Sequence, residues 1–243
     1  MKREFFGKTD VGLRRPNNED AWLVRPDLDV CVVADGMGGA ASGELASRMF
    51  VETVQELFAH TRPGSEQEAS EVTQEAFRLG NERILSFAAA NPSHQGMGCT
   101  AELVVFRDDR YVAGHVGDSR MYLFRDGVLK QITRDHSLVQ SQLDQGLITE
   151  REARRHSMRH VVLRALGIHE PLALDLSRGT CRVGDVFLLC SDGLTDMVED
   201  GVIRDILSCS AGLAVSADRL IESAKSAGGA DNITVVLCRV LAP

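Results

Sequence analysis

Acidic residues close the apolar runs of this sequence. Val30-Cys31-Val32-Val33-Ala34-Asp35-Gly36 ends in Asp-Gly, and Val186-Phe187-Leu188-Leu189-Cys190-Ser191-Asp192-Gly193 has the same grammar. Val112-Ala113-Gly114-His115-Val116-Gly117-Asp118 is a third such run. Asp231 precedes the last apolar run, and Glu19-Asp20 an early one. Taken singly, each is an ordinary turn. Taken together, the acids converge on one rim if the runs are strands of two packed sheets. Carboxylates gathered there repel unless cations neutralise them. Carboxylate, carbonyl and water ligands select hard cations such as Mg²⁺ or Mn²⁺. Glycine after Asp35 lets a backbone carbonyl join the shell.

Arg14-Arg15 stands just before Asn17-Asn18-Glu19-Asp20. A guanidinium beside an acidic metal cluster grips phosphate through its planar fork. The plainer alternative is a surface arginine paired with Glu19 or Asp20.

The elements that must position these residues follow from apolar spacing and turn signals. Strands are predicted at 5–9, 22–24 and 30–34, then helices from about 43 to 60 and from 65 onward. Ser65-Glu66-Gln67-Glu68 matches a capping box at the second helix, after the Arg62-Pro63-Gly64 break. Strands resume at 101–106, 111–116, 121–124 and 128–132, with hairpin turns at Asp108-Asp109 and Asp126-Gly127. Residues 136–166 read as helical and polar, with a second capping box at Thr149-Glu150-Arg151-Glu152. Strands near 173–176 and 186–190, helices near 200–207 and 213–227, and a strand over 233–240 complete the chain. Hairpin strands with paired helices indicate an α+β layered domain, not a doubly wound parallel sheet. The expected architecture is a four-layer α-β-β-α sandwich of two mostly antiparallel sheets, with 136–166 inserted as a flap.

Composition bounds the function. The 243 residues are 44% hydrophobic and 26% charged, as in a globular protein, and are expected to form one domain over 1–243. The formal net charge of −8 argues against nucleic acid or an anionic membrane as main partner. No apolar run approaches the roughly 20 residues of a membrane span, and the N-terminus lacks a signal-peptide core. Six cysteines without a Cys-x-x-Cys pair read as buried reduced thiols, which fits a cytoplasmic location.

Several segments occur in a characteristic order: Thr9-Asp10-Val11-Gly12 with Arg15 and Asn18-Glu19-Asp20; Ala34-Asp35-Gly36-Met37-Gly38-Gly39; Gly98-Cys99-Thr100; Val116-Gly117-Asp118-Ser119-Arg120; Asp135-His136-Ser137; Ser191-Asp192-Gly193-Leu194; and Asp231-Asn232-Ile233-Thr234. Together they resemble the metal-dependent protein phosphatases of type 2C, the PPM family, in their compact bacterial form. The resemblance implies two or three Mn²⁺ or Mg²⁺ ions. Asp35 would bridge two of them, the Gly36 carbonyl would help hold one, and Asp192 and Asp231 would complete the other site. It places Glu19 and Asp20 near the metals, partly through water, and Asp118 with Asp192 at a third ion. It makes Arg15 the phosphate-binding arginine. The implied reaction is in-line attack of metal-activated water on a phosphoserine or phosphothreonine monoester, without a phosphoenzyme. The implied partners are phosphoproteins and a cognate Ser/Thr kinase.

Two positions depart from the family pattern. Met37 follows the first Asp-Gly where some members have His, and Ala40 stands where Gly-Gly-His is frequent. Neither supplies a proton, so the general acid is unassigned. His115, where Asn is common, reads as a strand histidine with a structural hydrogen bond. Residues 150–164 carry five arginines against two glutamates: a solvated helix face or a docking surface for an acidic partner. A hydrolase for another phosphate ester such as a nucleotide is a second enzyme reading. A binding-only pseudophosphatase is a third, opposed by the presence of Asp35, Asp118, Asp192 and Asp231.

Overall fold

The apolar runs are strands covered on both faces, which is why they are continuous rather than alternating. Along the run at 30–34, Val30, Val32 and Ala34 pack under helices, while Cys31 and Val33 face a second sheet. Val186, Leu188 and Cys190 likewise face helices, and Phe187 and Leu189 face the opposing sheet. Each buried Val, Leu or Phe among them contributes roughly 1.5–3 kcal/mol.

The computed structural model describes residues 1–39, 42–209 and 212–242. In chain order the elements are β1 (Lys2–Asp10), β2 (Asp20–Arg25), β3 (Val30–Met37), α1 (Ser42–His60), α2 (Glu66–Ala90), β4 (Gly98–Cys99), β5 (Ala101–Arg107), β6 (Arg110–Val116), β7 (Arg120–Arg125), β8 (Val128–Gln131), α3 (Leu138–Asp144), α4 (Glu150–Ala153), β9 (Asp175–Thr180), β10 (Val186–Cys190), α5 (Asp192–Thr195), α6 (Asp200–Ser208), α7 (Leu213–Ser226) and β11 (Ile233–Leu241). One sheet has the order β1-β11-β10-β7-β8 and the other β2-β3-β5-β6-β9, with β4 added against β3. The pairings along both sheets are antiparallel. The α1–α2 pair covers β3, β5 and β6, and α5 to α7 cover β10 and β11. Between the sheets lies a third core, where Phe106 and Tyr111 each meet Phe187 edge-on at 5.1 Å. The structure is thus the four-layer sandwich that hairpin spacing and helix pairing indicate.

Local signals behave as their chemistry requires. Asp126 and Gly127 both take positive φ in a two-residue hairpin turn, which matches the strand twist. Thr149 and Glu152 close the reciprocal capping box. At α2, Ser65 Oγ accepts from Glu68 N–H at 3.1 Å, but the Glu68 carboxylate reaches back to Gly64 N–H at 2.7 Å rather than to Ser65.

Residues 136–166 differ from the helical expectation. Among them only α3 and α4 are helical, and the rest is turns bonded to the body. Ser137 bridges Val162, and Leu163 N–H donates to the His136 carbonyl at 2.7 Å. Tertiary bonding overrides the helical propensity of this polar stretch. β9 lies later than expected because its register is set by β6, with His115 opposite Asp175 and Arg110 opposite Thr180. Five cysteines are buried and unpaired, but Cys209 is exposed at the end of α6. No helix among the described residues is long and apolar enough to cross a membrane.

Candidate active site

The two sheets bring their acid-bearing strand ends to one edge of the sandwich. Asp20 opens β2 opposite Asp35 on β3, and Gly36 and Met37 continue that strand into a short pairing with β4. Asp118 follows β6, Asp192 opens the helical turn after β10, and Asp231 precedes β11. A cavity of about 500 Å³ at this edge is lined by Arg15, Glu19, Asp35, Gly36, Asp118, Asp192 and Asp231. Asp20 lies behind that lining. All eight residues singled out from sequence are therefore brought together, seven on the cavity wall and one supporting it.

Asp20 is held by a relay of hydroxyls. Its Oδ2 accepts from Thr234 Oγ1 at 2.6 Å and from Ser191 Oγ at 2.8 Å. The Thr234 proton is committed to Asp20, so Thr9 Oγ1 donates to Thr234 at 2.7 Å and itself accepts from Asn18 Nδ2 at 2.8 Å. Asn232 ties its own loop to three points of the β1–β2 connection: its Oδ1 accepts from Glu19 N–H at 2.8 Å, and its Nδ2 donates to the Val11 and Asn17 carbonyls. The Glu19 carbonyl accepts from Gly36 N–H at 3.2 Å and Ser47 Oγ at 2.6 Å. Glu19 also packs against the first turn of α1, where a Cβ on Gly43 would lie 1.9 Å from its Oε2. The positive end of α1 favours a carboxylate there. Gly12, at φ +78°, lets its backbone pass where a Cβ would meet the Asp231 carbonyl at 2.1 Å.

These supports are what residue-by-residue reading missed. Asn18, Ser191, Asn232 and Thr234 stood in the quoted segments, where their signal was a polar side chain fixed beside each acid. Asp196, Arg159 and His160 carried no such signal, yet all three also line the cavity. Arg159 Nε and His160 Nδ1 from the flap each lie 3.3 Å from Asp196 Oδ2. Three of the five flap arginines face acids of the body: Arg154 to Asp200, Arg159 to Asp196 and Arg164 to Asp175. Met37 lines the cavity, and Ala40 lies outside the described residues. His115 is a buried structural residue, held between Glu102 Oε1 and the Arg134 carbonyl.

The electrostatics are those of a crowded anionic pocket. Desolvation raises the Asp20 carboxyl to about 6, with Asp231 adding to the shift. Desolvation and then the charges of Asp20, Asp192, Asp118 and Asp231 push Asp35 well above the usual carboxylate range. Asp192 is raised in the same way by desolvation, Asp118 and Asp196, and Asp118 to about 7 by desolvation, Asp135 and Asp196. Opposing these charges, Arg15 Nη2 sits 2.7 Å from Asp231 Oδ2 with half of its side chain exposed. The buried Oδ1 atoms of Asp20 and Asp192 have no hydrogen-bond partner. Unpartnered carboxylate oxygens among like charges fit divalent hard cations, which supply the missing positive charge and need only oxygen ligands.

Comparison with known proteins places this geometry. Residues 14–227 match the family described as protein phosphatase 2C. The chain is 41% identical over 237 residues to the serine/threonine protein phosphatase PstP of Mycobacterium tuberculosis, covering 98% of this chain and 45% of that protein, so it spans about half of that relative's length. It is 37% identical over 241 residues to the serine/threonine phosphatase stp of Listeria innocua, covering 98% and 95% of the two chains. The crystal structure of the catalytic domain of PstP in complex with two manganese ions superposes with a TM-score of 0.90 at 39% identity, covering 99% of each chain.

Proposed function

The chain belongs to the protein phosphatase 2C family, and from that premise we propose that it is a metal-dependent serine/threonine phosphoprotein phosphatase. The observation that carries this reading is the convergence of Glu19, Asp35, Asp118, Asp192 and Asp231 with Arg15 on one cavity. The two manganese ions of the PstP structure support a pair of Mn²⁺ or Mg²⁺ ions here. Asp35, Asp192, Asp231 and the Gly36 carbonyl would hold two ions, with Glu19 reaching them through water, and Asp118 with Asp192 would hold a third. Bound there, the ions supply positive charge to the phosphoryl oxygens and a hydroxide nucleophile at neutral pH.

The protein's own groups perform the remaining work. Arg15 leaves its half-exposed pairing with Asp231 to present its guanidinium fork to the phosphoryl oxygens. Asp20, fixed by Thr234 and Ser191, holds an oriented carboxylate behind the metal ligands. The flap closes one side of the cavity with Arg159, His160 and Val162, which excludes water and touches the peptide around the phosphorylated residue. The catalytic domain spans residues 1–243 and acts on phosphoproteins, reversing a cognate Ser/Thr kinase in the cytoplasm.

The reading is tested by offering the Mn²⁺-loaded protein phosphothreonine, phosphoserine and phosphotyrosine peptides beside ATP. Phosphate release from the first two peptides, with little from ATP, supports it. Preferential release from ATP assigns the site to a nucleotide hydrolase instead.

A further inference from the structure

His136 holds Gly117, the residue before Asp118, on both its polar groups. The Gly117 N–H donates to His136 Nδ1 at 3.1 Å, and the His136 N–H donates to the Gly117 carbonyl at 2.7 Å. Gly117 has φ +115°, and a Cβ there would approach Thr100 Cβ to 2.4 Å, so no side chain of its own fixes this backbone. Because Nδ1 accepts, the ring proton is on Nε2. The opposite edge of the ring reaches β9 and the end of the flap: Nε2 lies 3.2 Å from Asp175 Oδ2 and 3.2 Å from Arg164 Nη1. Arg164 also contacts Asp175 at 3.2 Å, and the His136 carbonyl accepts from Leu163 N–H at 2.7 Å. His136 is buried, and its ring packs on His115 with centroids 4.5 Å apart. His115 is locked in turn by Glu102 and the Arg134 carbonyl.

One ring thus joins the backbone that aims Asp118 to the place where the flap returns to the body. We propose that His136 is a positioning residue that couples the seating of the flap to the aim of the Asp118 carboxylate. This rests on the reading of Asp118 as a cation ligand. Displacing residues 163–164 moves the donor to the His136 carbonyl and, through the Arg164 ion pair, the Asp175 carboxylate that faces Nε2–H, and a shift of the ring moves the acceptor of Gly117 N–H. The buttress of His115 and Glu102 leaves the ring little room to absorb that shift. Coupling between two binding events is reciprocal: a cation at Asp118 tightens the flap by the factor by which a seated flap tightens the cation.

The test is limited trypsin cleavage at the exposed flap residues Arg151, Arg154 and Arg155 in the full chain, with and without saturating Mn²⁺, beside calorimetric Mn²⁺ titration of the same samples. For the wild type we expect Mn²⁺ to slow cleavage by about tenfold. In His136→Asn, the side-chain oxygen keeps the Gly117 acceptor but falls short of Asp175, so Mn²⁺ still binds while protection drops below about twofold. Asp175→Ala cuts the same limb at a half-exposed surface position and keeps the test valid if the buried variant misfolds; protection should fall to less than half the wild-type ratio. Asp118→Asn should abolish the Mn²⁺ sensitivity. Wild-type protection that persists in both His136→Asn and Asp175→Ala overturns the coupling, as does Mn²⁺ binding that never protects the wild-type flap. Failure of the wild type to bind Mn²⁺ overturns the metallophosphatase reading and the coupling with it.

Discussion

Asp20 and Asp35 are register partners at one end of the β2–β3 ladder, so two carboxylates stand side by side across a single strand pair. Desolvation and neighbouring acids raise both carboxyls, Asp35 far above its ordinary range. The arrangement stores repulsion that a folded protein without cations must bear. Asp35→Asn should therefore raise the melting temperature of the EDTA-treated protein by about 2–4 °C while abolishing phosphatase activity. A lower melting temperature would show that Asp35 is a structural hydrogen-bond acceptor and not a strained ligand.

Thr234 donates to Asp20 from a fully buried position. Thr234→Val keeps the shape and removes the hydroxyl. It should cost about 1–3 kcal/mol in urea unfolding, and Thr234→Ser should restore most of that loss. Equal stability of the valine and serine variants would mean that the relay from Asn18 through Thr9 does not hold Asp20.

The meeting of the six candidate acids at one edge was legible in the sequence because each follows or precedes a strand, and strands in two packed sheets share ends, whereas the roles of Arg15 and Gly36 came from the family resemblance. Asp35 and Asp192 are the clearest cases: their apolar runs fill two cores at once, so the acid falls where burial stops. Asp196 and His160 were not legible, since they meet only when the flap folds back onto the loop after α5. The flap itself defeated periodicity, because Ser137–Val162 and Leu163–His136 bonds to distant residues determine its path. The Thr149 capping box was readable because both partners lie within one turn.

Arg15 pairs with Asp231 in the wall of the cavity. Arg15→Ala should lower kcat/KM for a phosphothreonine peptide by about 10- to 100-fold, the range for a charge-assisted hydrogen bond. Mn²⁺ affinity should stay within about threefold of wild type. If metal affinity collapses instead, Arg15 is acting through Asp231 and not on phosphate.

His115 and Glu102 form a buried pair whose proton is held more tightly than in the unfolded chain. Although burial alone would lower it, the Glu102 carboxylate raises the imidazole from its ordinary 6.5 to about 9. A raised folded value means that the contribution to stability is lost as pH rises from about 6.5 through about 9, and because burial also raises the Glu102 carboxyl to about 7, the ion pair itself is intact between about 7 and 9. The difference in unfolding free energy between wild type and His115→Asn should shrink across that window, by on the order of 1 kcal/mol per pH unit. A difference that is flat from pH 6 to 9 would show the pair to be neutral.

If these acids hold catalytic cations, phosphate release depends on both the added metal and its ligands. Metal-stripped protein is assayed on a phosphothreonine peptide with Mn²⁺ or Mg²⁺ added back, beside Asp192→Ala. We expect no release without metal, restoration by either ion, and loss of at least about a thousandfold in the variant, equivalent to about 4 kcal/mol of transition-state stabilisation. Release by the metal-stripped wild type, or undiminished release by a folded Asp192→Ala protein, would show that hydrolysis does not depend on cations held by these acids.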